Sequence, residues 1–214
     1  MATLGEVLGL RKTQKEATRR RVLDAARQLF ESQGYEETTV RAIARAAGVA
    51  VGSVFTSIAS KGEILSLVMQ ERLEGLYAEL DRVIPHLRAS TADRLRSMFA
   101  IHYAYEEPRK RLFLAHIAAT YDWRLGPAAK PYGHNARLRQ VVHDCINEGV
   151  VRGDVDPATD IGAVVELLIA AYAWNFRLAA WEDADAKTMS AAMDRLIGQI
   201  AESFRPRGGV NPAL

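Results

Sequence analysis

A chain of 214 residues with 49% hydrophobic and 25% charged residues has the composition of a globular protein able to bury a core, not of a disordered or fibrous one. Cys145 is the only cysteine, which excludes an intramolecular disulfide and a cysteine-based metal site. Net charge is just +2 but is unevenly spread: residues 1–61 carry ten Lys/Arg against six Asp/Glu, a net +4, and residues 62–214 carry eighteen against twenty, a net −2.

No uninterrupted apolar run reaches the ~18–20 residues that span a bilayer, so no membrane association is expected. The first ten residues include Glu6 and lack the basic start of a secretory signal, and a cytoplasmic protein is expected. Period-two alternation is absent, and apolar residues recur at helical spacing from end to end. The expected fold is all-α with about nine helices, and no internal repeat is visible.

The first helix is expected from about Thr13 to Gln33, with Val22, Ala26, Leu29 and Phe30 on one face and Gly34 as its stop. Thr38 and Thr39 offer an N-cap to a short helix running to Ala47, with Val40, Ile43, Ala44 and Ala47 inward. Gly48 breaks it, and a third, two-turn helix follows from Val51 to Ser57. Ser60-Lys61-Gly62-Glu63 reads as a capping box opening a fourth helix that ends near Ile84-Pro85. Beyond it, longer helices are expected at about 91–106, 108–121, 130–150, 157–181 and 187–204, separated by Gly, Pro and Asp breaks. The Gly/Pro-rich tail, 207–214, is expected to be frayed.

Two short helices joined by a glycine turn, Ala44-Arg45-Ala46-Ala47-Gly48-Val49, have helix-turn-helix proportions. Val49, Val54 and Ile58 can pack inward and leave Val51, Gly52, Ser53, Thr56 and Ser57 outward. That surface is small enough to enter a major groove. The basic residues Arg11, Lys12, Lys15, Arg19, Arg20 and Arg21 suit a phosphate-facing end, though a solvated arm would have the same composition.

The stretch from Thr18 to Tyr35, Thr18-Arg-Arg-Arg-Val-Leu-Asp-Ala-Ala-Arg-Gln-Leu-Phe-Glu-Ser-Gln-Gly-Tyr35, resembles the opening helix of TetR/AcrR-family regulators. Thr38-Thr-Val-Arg-Ala-Ile-Ala44, Ala47-Gly-Val49 and Ser60-Lys61 continue the resemblance in register over about a quarter of the chain. It implies a DNA-binding domain at 1–62 and a ligand-binding and dimerisation domain at 63–206. It implies that Thr39 and Arg41 approach DNA, that Val51, Gly52 and Ser53 face the groove, and that Phe55, Thr56 and Lys61 grip phosphate. Phe55 departs from the family's usual tyrosine and has no hydroxyl to offer, and it is as well placed for the head's core as for DNA. Val51 replaces a commoner polar residue and points to a thymine methyl.

In the body, Ile161, Val164, Val165, Leu168, Ile169 and Tyr172 form an apolar stripe on one helix. Met189, Met193, Leu196, Ile197 and Ile200 form another on the next. The resemblance implies a homodimer through these last two helices; burial inside one subunit is the other reading. Trp174, Phe176 and Trp181 fit either. The middle helices set polar and aromatic groups on apolar faces, the usual make-up of a small-molecule site. The candidate ligand residues are Phe99, His102, Tyr103, Phe113, His116, Tyr121, Trp123 and Tyr172.

The five histidines, at 86, 102, 116, 134 and 143, do not pair at metal-ligand spacing, and no phosphate loop or catalytic dyad is visible. No cofactor, metal or enzymatic activity is expected. The expected protein is a ligand-responsive regulator that leaves a palindromic operator when a small molecule binds. The alternative is a helical ligand-binding protein with a non-functional head.

Overall fold

The computed structural model describes residues 4–56, 58, 60–120 and 136–206. Among these the regular structure is entirely helical. The helices are α1 (Leu4–Gln33), α2 (Val40–Ala46), α3 (Val51–Phe55), α4 (Lys61–Val83), α5 (Thr91–Glu106), α6 (Lys110–Thr120), α7 (Ala136–Arg152), α8 (Ile161–Trp181) and α9 (Ala186–Phe204). Two 3-10 turns, Ile84–His86 and Glu107–Arg109, each place a proline where a missing N–H costs no helical hydrogen bond.

Several boundaries differ from expectation for local reasons. Thr13 does not start α1. Its hydroxyl donates back to the Gly9 carbonyl at 3.0 Å, as a threonine inside a helix does, and the helix begins at Leu4. α3 ends at Phe55, with Thr56 as its C-cap. α8 begins at Ile161 because Asp160 caps it, accepting from the Ala163 N–H at 3.0 Å. The expected start of α7 and the tail 207–214 lie outside the described residues.

The chain divides into two compact units. One comprises Met1–Glu74 with Arg111–Ala119, the other Gly75–Lys110 with Thr120–Leu214. No break falls at the expected boundary, 62/63. Gly62 lies in the first turn of an unbroken helix, so α4 runs from one unit into the other.

In the first unit, α2 and α3 pack on α1 around Val22, Leu23, Ala26, Phe30, Ile43, Ala44 and Val54, all buried. The α2–α3 turn needs Gly48 at φ +64°, where an L side chain is strained. The Gly48 N–H donates to Arg45 O at 3.1 Å and the Val49 N–H to Ala44 O at 3.0 Å, closing the end of α2.

In the second unit, α9 packs on α5 and α8, and α7 packs on α5 and α8. Most of the apolar stripes of α8 and α9 is core, while Ile161, Leu196 and Ile200 are half-buried. Val164, Val165, Leu168, Ile169 and Tyr172 are buried within the single chain, as are Met189, Met193 and Ile197. Phe176 is buried with them, whereas Leu167, Trp174 and Trp181 are exposed. By length and composition alone α8 is apolar enough to cross a membrane, but its apolar side is part of the core of this unit. Counting only uninterrupted runs misses this helix, because Glu166 divides the apolar stretch.

Candidate nucleic-acid interface and effector cluster

The outward face of α3 is built by its inward one. Val54 and Ile58 are buried and clamp the short helix to the head. Gly52, Ser53 and Thr56 are exposed, and Val51 and Phe55 are 37% and 52% exposed. Phe55 therefore stands on the surface, not in the core. Thr39 and Arg41 are exposed at the start of α2. Thr39 caps that helix by accepting from the Ala42 N–H at 3.1 Å, which leaves its own O–H available to a phosphate. The Thr56 hydroxyl donates to the Gly52 carbonyl at 2.9 Å, so it must rotate before it can donate to DNA.

Lys61 is engaged inside the head. Its Nζ donates to Tyr35 O at 2.9 Å and Glu36 O at 3.3 Å, and lies 4.1 Å from the Tyr35 ring centroid. The ring in turn packs on Phe30 at 5.3 Å. Lys61 thus ties the start of α4 to the α1–α2 connection, with one of its three protons left over. Burial and the neighbouring Glu36 carboxylate raise the Tyr35 phenol above its ordinary pKa, so it stays neutral. Ser60 caps α4, accepting from the Glu63 N–H at 3.0 Å.

The second unit brings Phe99, His102, Tyr103 and Tyr172 into one aromatic cluster, joined by Phe176 and Tyr77. The Tyr172 ring lies 5.3 Å from Phe99, 5.5 Å from His102, 5.1 Å from Tyr103 and 5.3 Å from Phe176. The Tyr103 hydroxyl donates to the Tyr172 carbonyl at 3.2 Å, and burial holds its pKa above the usual phenol value. The Tyr172 hydroxyl lies 3.3 Å from His102 Nδ1, while the buried His102 Nε2 has no hydrogen-bond partner among the described residues.

Burial lowers the His102 pKa to about 3 and that of His116 to about 4, so both rings are neutral at physiological pH. These depressed values make stability fall as pH drops below 6.5, where the unfolded chain takes up protons that the folded rings refuse. In the tautomer that accepts the Tyr172 hydroxyl proton at Nδ1, the neutral His102 ring carries its own proton on Nε2 and presents a buried donor there.

Phe113 and His116 belong to the other unit, where their rings lie 6.3 Å apart. Tyr121 and Trp123 fall outside the described residues. Tyr77 is a member that the sequence reading misses; it sits on α4, and its ring is 5.8 Å from that of His102. Its place on the buried side of α4 with Leu73, Leu76 and Leu80 is the periodic signal that could have found it. Among the described residues no group of three potential ligand side chains could hold a metal ion.

The profile of the family described as "Bacterial regulatory proteins, tetR family" matches residues 22–68, the helix-turn-helix segment with its flanks. The repressor KstR2 of Mycobacterium tuberculosis is 27% identical over 72% of this chain and 78% of its own length. HbdR, a transcriptional regulator of Aromatoleum sp. strain CIB, is 24% identical over 78% of this chain and 73% of its own. The structure of Thermus thermophilus FadR in complex with lauroyl-CoA superposes with a TM-score of 0.69 at 21% identity. That match covers 92% of this chain and all of FadR. Residues 22–68 thus carry the helix-turn-helix of the tetR family, and the chain as a whole resembles TetR-family transcriptional regulators in sequence and in fold.

Proposed function

We propose that the protein is a homodimeric repressor that occupies a palindromic operator when empty and leaves it when an effector binds the body. The observation that carries the reading is the face of Val51, Gly52, Ser53, Phe55 and Thr56, exposed on a helix whose Val54 is buried. No charged group stands on that face, so the helix can lie deep in a major groove, with Ser53 to hydrogen-bond and Val51 to meet a thymine methyl. Two heads about 34–36 Å apart would read the two halves of a palindrome.

The exposed apolar residues Leu167, Trp174 and Trp181 of α8 supply a surface for the second copy. For the effector, the His102 Nε2 donor inside an aromatic cluster fits a largely apolar molecule carrying a hydrogen-bond acceptor. Lauroyl-CoA, held by the structural neighbour FadR, has such an acceptor in its thioester carbonyl and is the first probe. α4 links the two functions, carrying Tyr77 beside His102 in one unit and Lys61 in the other. A coupling of about 1–3 kcal/mol, or a ~5–150-fold change in affinity, is what such a switch requires.

The decisive experiment is binding of the purified chain to the intergenic duplex beside its own gene, titrated with salt and competitor DNA. Tight, sequence-preferring, salt-sensitive binding is expected; weak binding without preference would favour a ligand-binding protein with a vestigial head. Two substitutions separate direct contact from support. Arg41→Ala should weaken binding without altering thermal stability. Lys61→Ala removes charge-assisted bonds worth about 1–2 kcal/mol and should lower the melting temperature as it weakens binding. A Lys61→Ala protein that melts like the wild type would return this lysine to a purely phosphate-facing role.

His102→Phe keeps the shape and burial of the cluster but removes the donor. About a tenfold higher effector concentration should then be needed for release, with affinity for DNA in the absence of effector unchanged. An unaltered dose response would remove His102 from the site.

A further inference from the structure

The head's hydrophobic core begins on α1 at Val22, yet the helix starts at Leu4. Eighteen residues of α1 thus precede the first side chain that the core requires. In the segment 12–21 Lys12, Lys15, Arg19, Arg20 and Arg21 are all exposed, and Glu16 is its one acidic residue. The segment 12–21 is therefore strongly cationic, and its five basic side chains stand on the surface.

The charges are also ordered. At 3.6 residues per turn, Lys12, Lys15 and Arg19 fall on a line that continues through Val22, Ala26 and Phe30. From Val22 onward that line is buried, on the helix against which α2 and α3 pack. Before Val22 the same line is basic and exposed. The cationic stripe therefore looks out on the same side of α1 as the helix-turn-helix. Arg20 and Arg21 point to other sides, about 100° and 200° further round. Among the described residues Lys12, Lys15 and Arg19 make no ion pair that would account for their charge.

We infer that Lys12, Lys15 and Arg19 form a second DNA-binding element, which holds backbone phosphates of the duplex flanking the segment read by α3. The inference rests on the DNA-binding reading of the head. Double-stranded DNA is the occupant because the stripe is a row of point charges without aromatic or apolar residues between them. That suits phosphate neutralisation and offers an acyl layer or a peptide groove nothing to bury. At 1.5 Å per residue, Lys12 lies ~15 Å along the helix from Val22, so the element adds length to the DNA footprint and no sequence preference.

The test uses the full chain with two probes, the intergenic duplex and a random-sequence duplex of equal length, each titrated from low to high salt. Lys12→Ala/Lys15→Ala/Arg19→Ala keeps or improves helix propensity and touches no buried residue. Its salt slope is expected to be shallower by about 0.9 for every phosphate that the stripe no longer neutralises. At low salt its affinity should fall at least about tenfold on both duplexes, with the ratio between them unchanged. Arg20→Ala, on another side of the helix, should leave the slope as in the wild type.

A triple variant that tracks the wild type at every salt concentration overturns the inference while the regulator reading stands. Equal losses for Arg20→Ala and for the substitutions on the stripe also overturn it, by reducing the effect to net charge. Loss of binding to phosphatidylserine vesicles with an unchanged DNA slope would assign the stripe to a membrane instead. A wild-type chain with no salt-dependent affinity for either duplex would sink the regulator reading itself, and this inference with it.

Discussion

Gly149→Val is expected to destabilise the protein severely, and Gly149→Ala to do so by about 2 kcal/mol, although alanine is the better helix former. Gly149 is buried on α7, facing the start of α5. A Cβ there would overlap Thr91 Oγ1 and come within 2.6 Å of Val155 Cγ2. Neither neighbour can yield. Thr91 is fully buried, its N–H donates to Asp154 Oδ2 at 2.6 Å, and its hydroxyl oxygen accepts from Arg152 Nη2 at 2.8 Å. The Gly149 carbonyl accepts from the N–H groups of Gly153, Asp154 and Val155 at 3.0–3.2 Å, fixing the turn that carries Asp154 and Val155.

An inserted methyl thus pushes on a crossing already held by these hydrogen bonds and by the ion pairs of Arg152 with Glu148 and Asp154. Overpacking of this kind costs ~1–3 kcal/mol or more, against a propensity gain of at most ~1 kcal/mol. Thermal unfolding reads the outcome, with a drop of about 4–8 °C expected for alanine in a chain of this size. Gly75→Ala is the contrasting case. It lies exposed on α4, where a Cβ meets only Tyr105 Oη at an ordinary 3.5 Å. That substitution should leave stability unchanged or raise it by up to ~1 kcal/mol. If both variants melt alike, the close approach of α5 and α7 is not what selects glycine at 149.

Features set by local chemistry are readable directly from residues. The Thr39 cap, the Gly48 turn and the Ser60 cap each need a particular residue within a few positions of its partner, so the head is legible in one dimension. The α5 stripe of Leu95, Met98, Phe99 and His102 is legible for the same reason, and all four are buried. What escapes depends on partners distant in sequence. Nothing near Lys61 announces that it reaches back 26 residues to the Tyr35 carbonyl, or that Thr91 on α5 demands glycine on α7.

Helical periodicity finds apolar faces but cannot say what covers them. That is why the broad stripe of α8 reads equally well as core or as interface until its packing on α9 and α7 is seen. Thr13 is misleading for a related reason: a threonine that donates to the preceding turn and one that caps a helix look identical in one dimension.

With most of the broad stripe in the core, the surface left for the proposed homodimer is narrower and more demanding. Ala163, Leu167, Ala170, Trp174, Arg177 and Trp181 follow one another at alternating steps of four and three along α8, the spacing of a coiled-coil seam. Leu167 is 55% exposed, Trp174 59% and Trp181 73%. The two indoles meet edge to face at 6.0 Å, and the Arg177 guanidinium lies 4.8 Å from the Trp174 ring centroid, so the seam is organised before any partner arrives. The exposed Ala163 and Ala170 leave room for a second helix to approach closely.

Leu167→Glu/Trp174→Glu puts like charges face to face across such a seam while touching nothing buried in the single chain. The expected result is a folded monomer at micromolar concentration, with unchanged helicity. Its affinity for a palindromic operator should fall by about 100-fold or more, because the second head no longer binds at the high effective concentration that its tether provides. Sedimentation and operator titration on the same samples separate the possibilities. A double variant that remains dimeric moves the interface off this face of α8. One that is monomeric yet binds as tightly as the wild type breaks the link between pairing and operator recognition, leaving a single head and its basic extension to supply the whole affinity.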